Sequence, residues 1–454
     1  MVFGTGGEVM KRFMLAVCFM WCGVHSAGAE DVSLTVYNTD LAIVKIVDNM
    51  SFVKGGQTVT FTGVANRIDP TSVRFKALDG DIDVVEQNYR YDLVNSRKVL
   101  ERYIDKDVTL IVEGGSVIEG ILQSVAGDIV LKDRAGRVNI VRTEAVERYD
   151  LPELPDGLIT RPTLFWQVMS EREREAKTEV SYMTGGFSWH AEYTAVVGDD
   201  ETSMEMSSWV SVDNTSGASF ENARLKLVAG DVHRAPRVMV KTQSAPRAMA
   251  MEDAAAGFEE RELFEYHLYD LGRRTDVFDR EIKQIALFDP STIKAEKRFV
   301  YEAMKDDSKV RVSMEFVNSE KEGLGMALPA GTVRVYKRDR DDSIEFVGED
   351  RIDHTPKNEK VRLTLGNAFD IAAERTITDT RRVTDRVREQ SVEISLRNRK
   401  TEPVTVTVIE RLWGDWDIIR KSHDFKKKDA WTAEFTVDIP ADSETKVVYT
   451  ARMK

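Results

Sequence analysis

Apolar and polar residues alternate strictly in several stretches of the chain. In Phe187–Val197 every second residue is apolar, and the polar positions between them include His190 and Glu192. The same period of two recurs in Val310–Phe316, Val392–Leu396 and Val404–Val408. This alternation is typical of strands with one buried and one solvated face. It predicts a mostly β, multidomain protein built from β-sandwich (immunoglobulin-like) units.

Turn residues and changes of pattern divide the chain. Asn214–Gly217 and Leu365–Asn367 carry turn signals between predicted strands, and the best helical candidate, Ser170–Val180, is charged and short. The predicted organisation is a signal peptide at 1–29, an N-terminal β domain at 30–95, a small barrel at 96–150 and a β-sandwich region at 158–454. Within the last region, residues 244–262 are rich in Ala, Met and acidic residues, which predicts a mobile loop.

The segment 96–150 contains five short strand patterns around Gly-rich turns. Its glycine and apolar spacing at Gly115–Leu122 and Gly127–Leu131 resembles that of Sm-like and SH3-like barrels. The resemblance implies a small Sm/SH3-like β-barrel inserted before the main body. Sm-like barrels can bind RNA, but this segment carries nine basic and ten acidic residues, a balance that argues against RNA binding.

The N-terminus has the features of a secretory signal peptide. Lys11 and Arg12 form a short basic region, Phe13–Val24 is apolar, and small residues lead to Ala29. We therefore expect an exported protein, periplasmic or at the cell surface, with cleavage near Ala29. The apolar run is too short to cross a bilayer as a helix, which argues against a membrane anchor.

The sequence leaves open where the signal peptide begins and how it ends. Met10 directly precedes the basic pair, so the start is either Met1 or Met10. A lipid-modified Cys18 is an alternative to cleavage near Ala29, but Val17 stands where that motif requires a small residue. After the signal, no stretch is apolar enough for a transmembrane helix, so none is expected in the mature chain.

Composition narrows the possible chemistry and partners. The two cysteines, Cys18 and Cys22, both lie in the predicted signal, so the mature chain has no disulfide, thiolate metal site or cysteine nucleophile. The formal net charge is −13, and loss of Lys11, Arg12 and Glu8 with the signal makes it −14. This acidic balance argues against a nucleic-acid partner.

His190 has the surroundings that most resemble an active site. Ser188 and Glu192 lie two residues to either side and face the same side of the predicted strand. Residues two apart stand about 7 Å apart along a strand, whereas nucleophilic catalysis requires direct bonds of about 2.6–3.2 Å. His190 is therefore expected to be a structural residue on the solvated face. The alternative is a functional histidine completed by a neighbouring strand.

No other constellation predicts a catalytic set or a cofactor. The remaining histidines are scattered, without the spacing that brings ligands to one metal, and the acidic clusters lack the spacing of a calcium loop. There is no phosphate-binding Gly-rich loop, so neither a metal nor another cofactor is expected. Trp413 and Trp416 flank a Gly-Asp turn and are candidate binding residues. Exposed aromatic side chains of this kind can stack on sugar rings or anchor a partner. The competing and favoured interpretation places them in the core.

Four motifs, taken in order, resemble the bacterial domain of unknown function 4139. They are SYMTGGFSWHAEYTAVV (Ser181–Val197), the stretch Ser207–Arg234, LPAGTVRVYKRD (Leu328–Asp339) and VIERLWGDWDI (Val408–Ile418). The resemblance extends from about Leu158 to the C-terminus, and the family is similar to the C-terminal part of proteins named mucoidy inhibitor A. It implies a link to surface polysaccharide production and supplies no catalytic residues. Those proteins typically have a long coiled coil before this domain, where this chain has the predicted barrel.

Two functions remain open from the sequence. The favoured one is a non-catalytic envelope protein that binds or scaffolds an envelope protein or a surface polysaccharide through its β domains. The alternative is a carbohydrate-active or other hydrolase that uses paired carboxylates. A deep pocket with two carboxyl groups about 5–9.5 Å apart would indicate the hydrolase. Exposed aromatic patches or open sheet edges would indicate binding.

Overall fold

The computed structural model describes residues 31–80, 82–91, 95–153, 155, 158–230, 232, 258–306 and 308–454. Within these residues the chain is mostly β, arranged in several sheets with a sandwich-like character, as the alternation predicts. The predicted signal peptide and its cleavage site lie outside the described residues. No helix in the described ranges has the length and apolar character needed to cross a membrane.

The described residues form two compact units. Unit 1 contains Asp31 and Ile46–Ser181, and unit 2 contains Val32–Lys45 and Tyr182–Lys454. The first elements in chain order are β1 (Asp31–Tyr37), β2 (Ala42–Phe52), β3 (Gly55–Thr62), β4 (Arg74–Ala77), β5 (Ile82–Arg90), α1 (Ser96–Arg102), β6 (Asp107–Val112), β7 (Ser116–Ser124), β8 (Ile129–Lys132), β9 (Val138–Val141), β10 (Val146–Asp150), β11 (Thr163–Ser170) and β12 (Arg174–Thr184).

The remaining elements belong to unit 2. They are β13 (Phe187–Val197), β14 (Ser203–Asn214), β15 (Phe220–Ala229), β16 (Glu259–Leu263), β17 (Tyr266–Val277), β18 (Glu281–Glu302), α2 (Ala303–Asp306), β19 (Lys309–Val317), β20 (Gly331–Arg338), β21 (Ile344–Ile352), β22 (Lys360–Arg382), β23 (Arg388–Asn398), β24 (Val404–Arg411), β25 (Trp416–Lys421), β26 (Phe425–Asp429), β27 (Thr432–Ile439) and β28 (Ser443–Met453).

Unit 1 contains a three-stranded antiparallel sheet in the order β3-β11-β5. Trp166, at the centre of β11, is fully buried. Its ring lies 5.0 Å from that of Phe75 and 6.4 Å from that of Phe61. Its indole N–H donates to the Gln87 side chain at 2.8 Å, so the one polar atom of this core residue is satisfied.

The segment predicted as a barrel forms a five-stranded antiparallel sheet in the order β10-β6-β7-β8-β9, preceded by α1. Alternate residues such as Leu110, Leu122 and Leu131 make its own core. The five predicted strands are present, but no ladder joins the edge strands β9 and β10 among the described residues, so the sheet is not a closed barrel.

In unit 2, β13 is an interior strand of a 13-stranded sheet, third from the edge strand β21. It pairs antiparallel with β14 and parallel with β20; β14 continues to β18, and β20 to β21. The apolar half of β13 is buried, as the alternation predicts, and packs with residues of β14, β18, β19, β20 and β22. Strand β18 is 22 residues long. Its first part pairs with β14, and its last part with β19 and β24.

The C-terminal half of unit 2 has a second core. It is formed by residues of β18, β19, β22, β23, β24, β25, β27 and β28, including Tyr301, Trp416, Phe435 and Tyr449. A buried polar network lies within it: Arg375 Nε contacts both carboxylate oxygens of Glu410 at 3.1 Å, and the Tyr449 hydroxyl donates to Glu410. Burial, together with the Glu410 charge, raises the pKa of Tyr449, which keeps its hydroxyl protonated as the donor.

Three local expectations differ from the structure. The helical candidate Ser170–Val180 enters strand β12 (Arg174–Thr184), where Ala176, Thr178 and Val180 are buried at every second position. Leu365–Asn367 is not a turn between strands but an irregularity inside β22, where its pairing with β19 shifts register. Of the predicted loop 244–262, residues 244–257 lie outside the described ranges, and Glu259–Leu263 form strand β16.

Candidate functional site

The polar face of β13 places His190 at the rim of a cluster centred on Glu192. The Ser211 hydroxyl and the Gln284 amide donate to Glu192 Oε2, each at 3.1 Å. Arg334 Nη1 lies 3.5 Å from Glu192 Oε1, and His190 Nε2 lies 3.8 Å from the same oxygen. Glu192 therefore has several donors from three neighbouring strands, none of which the sequence spacing identified.

This cluster lacks the geometry of a nucleophilic site. Ser211 is buried and donates to the carboxylate rather than to the histidine, and Ser188 lies opposite Asp213 in the ladder between β13 and β14. The His190 side chain is 61 % exposed. Burial raises the pKa of Asp213, and the nearby His190 opposes that shift. The face carries a hydrogen-bonded polar cluster that is open to solvent.

The two candidate tryptophans have different environments. Trp416 is 2 % exposed, its indole N–H donates to the Ala430 carbonyl at 2.7 Å, and the Lys427 ammonium lies 4.2 Å from its ring centroid. Trp413 is 61 % exposed. Its ring lies 6.2 Å from that of Trp431, which is 49 % exposed, at an interplanar angle of 50°. The structure thus separates the pair expected from sequence and gives Trp413 a different partner.

Trp431 was not predicted, since it lies 18 residues beyond Trp413 in a short turn between β26 and β27. One local feature of the sequence could have indicated it. Trp431 follows the charged residues Lys427–Asp429 and does not fit the apolar–polar alternation of a strand. The Leu412 N–H donates to the Trp431 carbonyl at 2.9 Å. This bond joins the two turns and brings the rings together.

The carboxylate of Asp429 holds the Trp431 turn. It accepts hydrogen bonds from the Trp431 N–H at 2.8 Å and from the Thr432 hydroxyl at 2.9 Å. The hydrogen bond from the Trp431 backbone, followed by that from Thr432, lowers the pKa of Asp429. The turn is therefore ordered by the ionised side chain at neutral pH.

Gly414 fixes the turn that carries Trp413. Its φ is +73°, and a Cβ atom at this position would lie 2.6 Å from the carbonyl oxygen of Lys454. A side chain would be strained there by both the backbone conformation and the contact. We name the exposed pair of Trp413 and Trp431, with the two turns that hold it, the tryptophan pair.

An apolar pocket of about 270 Å³ lies elsewhere in unit 2, lined by Phe299, Val312 and Leu365 among others. The one carboxylate among its lining residues is Glu201, which contacts Lys297 Nζ at 2.6 Å and also Lys337. Burial favours the neutral form of Glu201, but the two lysines outweigh it and lower its pKa. This pocket lacks the second carboxylate that a paired-carboxylate hydrolase requires.

The described histidines outside β13 are engaged by ordinary hydrogen-bonding neighbours. His354 Nδ1 accepts from the Ala330 N–H and its Nε2 lies near the Asn38 amide, each at 3.1 Å. His267 Nδ1 lies 2.9 Å from Glu260, and His423 Nδ1 lies 2.8 Å from the Ser422 hydroxyl. Across the described ranges, no group of three or more His, Cys, Asp or Glu side chains is arranged to hold a metal ion. His233 lies outside those ranges.

These features define the class of the protein as a mostly β, multi-sheet protein with an exposed aromatic pair on its C-terminal sandwich. The sequence model of Domain of unknown function (DUF4139) matches residues 178–413, slightly more than half of the chain. The chain therefore belongs to the DUF4139 family, as its motifs indicate. The match begins in β12 and ends at Trp413. A search of curated proteins found no match.

Proposed function

We propose that this chain is an exported, non-catalytic protein of the cell envelope that binds a partner protein through the tryptophan pair. The observation that carries the proposal is the exposure of two adjacent indole rings on ordered turns of a well-packed sandwich. Tryptophan is enriched at binding hot spots, where its truncation costs about 2 kcal/mol or more. Turns that hold the rings in place reduce the entropy lost on binding.

The surroundings of the pair favour a protein partner over a sugar chain. The rings are tilted by 50° rather than coplanar, so they do not form one flat platform for consecutive sugar rings. Charged residues, Asp415, Lys427 and Asp429, lie in the same turns and strand. An aromatic centre with a charged rim is the usual composition of a protein interface.

The state of the pocket carboxylates supports binding over hydrolysis. A glycosidase needs a carboxylic acid with a raised pKa to protonate the leaving group. Glu201 in the apolar pocket and Glu315 in a second, basic pocket are both ion-paired with cationic side chains that lower their pKa below the ordinary value, despite burial. These carboxylates suit structural ion pairs better than acid catalysis.

Export rests on the sequence of the first 29 residues. The basic pair, the apolar run of Phe13–Val24 and the small residues up to Ala29 fit a cleaved signal. The absence of cysteine after Cys22 means that the exported chain needs no oxidative folding step. Fractionation of cells that express a C-terminally tagged chain tests this, with the shortened chain expected in the periplasmic or surface fraction.

The binding proposal predicts that Trp413→Ala combined with Trp431→Ala removes the partner. Tagged wild-type and variant chains are crosslinked with formaldehyde in living cells and purified. We expect one dominant envelope protein with the wild type, reduced at least about 30-fold in the variant, which corresponds to about 2 kcal/mol of binding free energy. Phe264→Ala, at another exposed aromatic residue of unit 2, is the matched control and should recover the partner normally.

Two results would contradict the proposal. Equal recovery of the partner by the wild type and the double variant would place the interface elsewhere. Tryptophan-dependent retardation in gels that contain surface polysaccharide would replace the protein partner with a glycan, and shortening of that glycan would establish the hydrolase.

A further inference from the structure

A basic groove crosses unit 2 on the face of the sheet opposite Phe299 and Tyr301. It has a volume of about 230 Å³, and its floor includes Val300 and Ile409, which are both buried. Its lining residues come from six strands, β18, β19, β22, β24, β26 and β27. The charged ones are Arg298, Glu315, Lys360, Arg362, Lys426, Lys428 and Glu434.

The groove has a surplus of positive charge. Five of its lining side chains are cationic and two are anionic, although the whole chain has a net charge of −13. Glu315 is almost fully buried and is held by Lys360 and Arg362, and Glu434 lies 3.6 Å from Lys428. Both carboxylates are therefore already paired. Since Arg298 is also ion-paired with Glu296 at 2.7 Å, the groove keeps two positive charges in excess.

Two buried polar atoms, one on a lining residue of the groove and one on its neighbour in the sheet, have no hydrogen-bond partner among the described residues. They are Arg298 Nε and the hydroxyl oxygen of Ser313. Arg298 and Ser313 are directly opposite each other on β18 and β19, and Ser313 is 3 % exposed. Arg298 Nη2 donates to Glu296 at 2.7 Å, whereas Nε lies 3.8 Å from Glu315, which is beyond hydrogen-bond distance. Buried donors left unpaired are costly, so their clustering beside a cationic groove points to a missing acceptor.

We propose that this basic groove binds a phosphate-type oxyanion, either free phosphate or the phosphate group of a larger molecule. A doubly charged anion matches the surplus of positive charge, and its several oxygens match guanidinium and ammonium donors. The volume is below the usual range of about 300–1,000 Å³ for sites of drug-sized ligands. The groove therefore suits a small anion or one end group. This site is separate from the tryptophan pair and does not depend on it.

The test uses the full exported chain and inorganic phosphate. Isothermal titration calorimetry is performed at constant ionic strength, with sodium chloride as the reference salt. We expect saturable phosphate binding that is weakened at least tenfold by Lys426→Ala combined with Lys428→Ala. The matched control, Lys54→Ala with Lys76→Ala, removes the same charge from exposed positions of unit 1 and should bind as the wild type.

A second variant guards against misfolding of the first. Lys426→Ala alone changes one exposed residue of β26 and should weaken phosphate binding several-fold, with an unchanged circular dichroism spectrum. Absence of saturable binding to the wild type, or unchanged affinity in both groove variants, would overturn the proposal. Trp413→Ala with Trp431→Ala should retain phosphate binding, so this site and the proposed function can fail separately.

The source of the phosphate is distinguished by parallel titrations. Glucose 6-phosphate represents a phosphorylated sugar, and vesicles of phosphatidylglycerol, compared with phosphatidylcholine, represent a lipid headgroup. If one of these compounds binds more tightly than inorganic phosphate, and the groove variants lose that binding, the natural ligand is a larger molecule of that type. Equal binding to all phosphate compounds assigns the free anion.

Discussion

Glu410→Ala is expected to lower the free energy of unfolding by about 3–5 kcal/mol. The Glu410 side chain is 2 % exposed and that of its partner Arg375 is 23 % exposed. Removal of the carboxylate leaves a largely buried guanidinium without its counter-ion, and it also removes the acceptor of the Tyr449 hydroxyl. The Arg375 guanidinium and the Tyr449 hydroxyl both lose their hydrogen-bond acceptor, and water cannot replace it inside the second core.

Glu374→Ala provides the matched control. Glu374 is the neighbour of Arg375 on β22, and its ion pair with Arg397 is exposed, at 60 % and 34 % of the two side chains. Such a surface pair contributes less than about 1 kcal/mol. Urea unfolding followed by circular dichroism compares the two variants. If Glu410→Ala lowers the free energy of unfolding no more than Glu374→Ala does, the buried network does not stabilise the C-terminal core.

Trp416→Ala is expected to be equally destabilising, by about 3–5 kcal/mol. Trp416 is buried in the second core, where its ring lies 6.2 Å from that of Phe425 and its N–H bonds to Ala430. Truncation leaves a cavity and an unpaired carbonyl. Trp413→Ala, three residues away, should cost less than about 1.5 kcal/mol, because it removes one exposed aromatic contact.

The same urea unfolding experiment measures both tryptophan variants. The structure predicts a large decrease in the free energy of unfolding for Trp416→Ala and a small decrease for Trp413→Ala. Similar losses for the two variants would mean that Trp413 is also a core residue. The exposed pair would then no longer support a binding role.

Much of the fold followed from alternation. Strands β13, β19, β23 and β24 were predicted because their buried positions recur with period two. This period is visible in the sequence of each strand alone. The charged stretch that forms β12 shows where this fails. Arg174–Val180 has the composition of an exposed helix, but Ala176, Thr178 and Val180 are buried by tertiary packing, which overrides intrinsic preference.

The candidate sites were harder to predict because they join distant parts of the chain. The motif around Trp413 was visible, but only the bond between Leu412 and Trp431 shows which ring lies beside it. The basic groove unites Lys360 and Lys426, which belong to different strands more than sixty residues apart. Sheet order decides such contacts, and the period of a strand does not show which distant strand lies beside it.

Site-specific photo-crosslinking in cells tests the central claim most directly. A photoreactive phenylalanine analogue replaces Trp413 or Trp431 in the exported chain, and it replaces Lys446, an exposed residue of β28, as the control. We predict the same discrete adduct with one envelope protein from positions 413 and 431, and none from position 446. Absence of an adduct from both tryptophan positions in a folded, exported chain, or an identical adduct from position 446, would contradict the account.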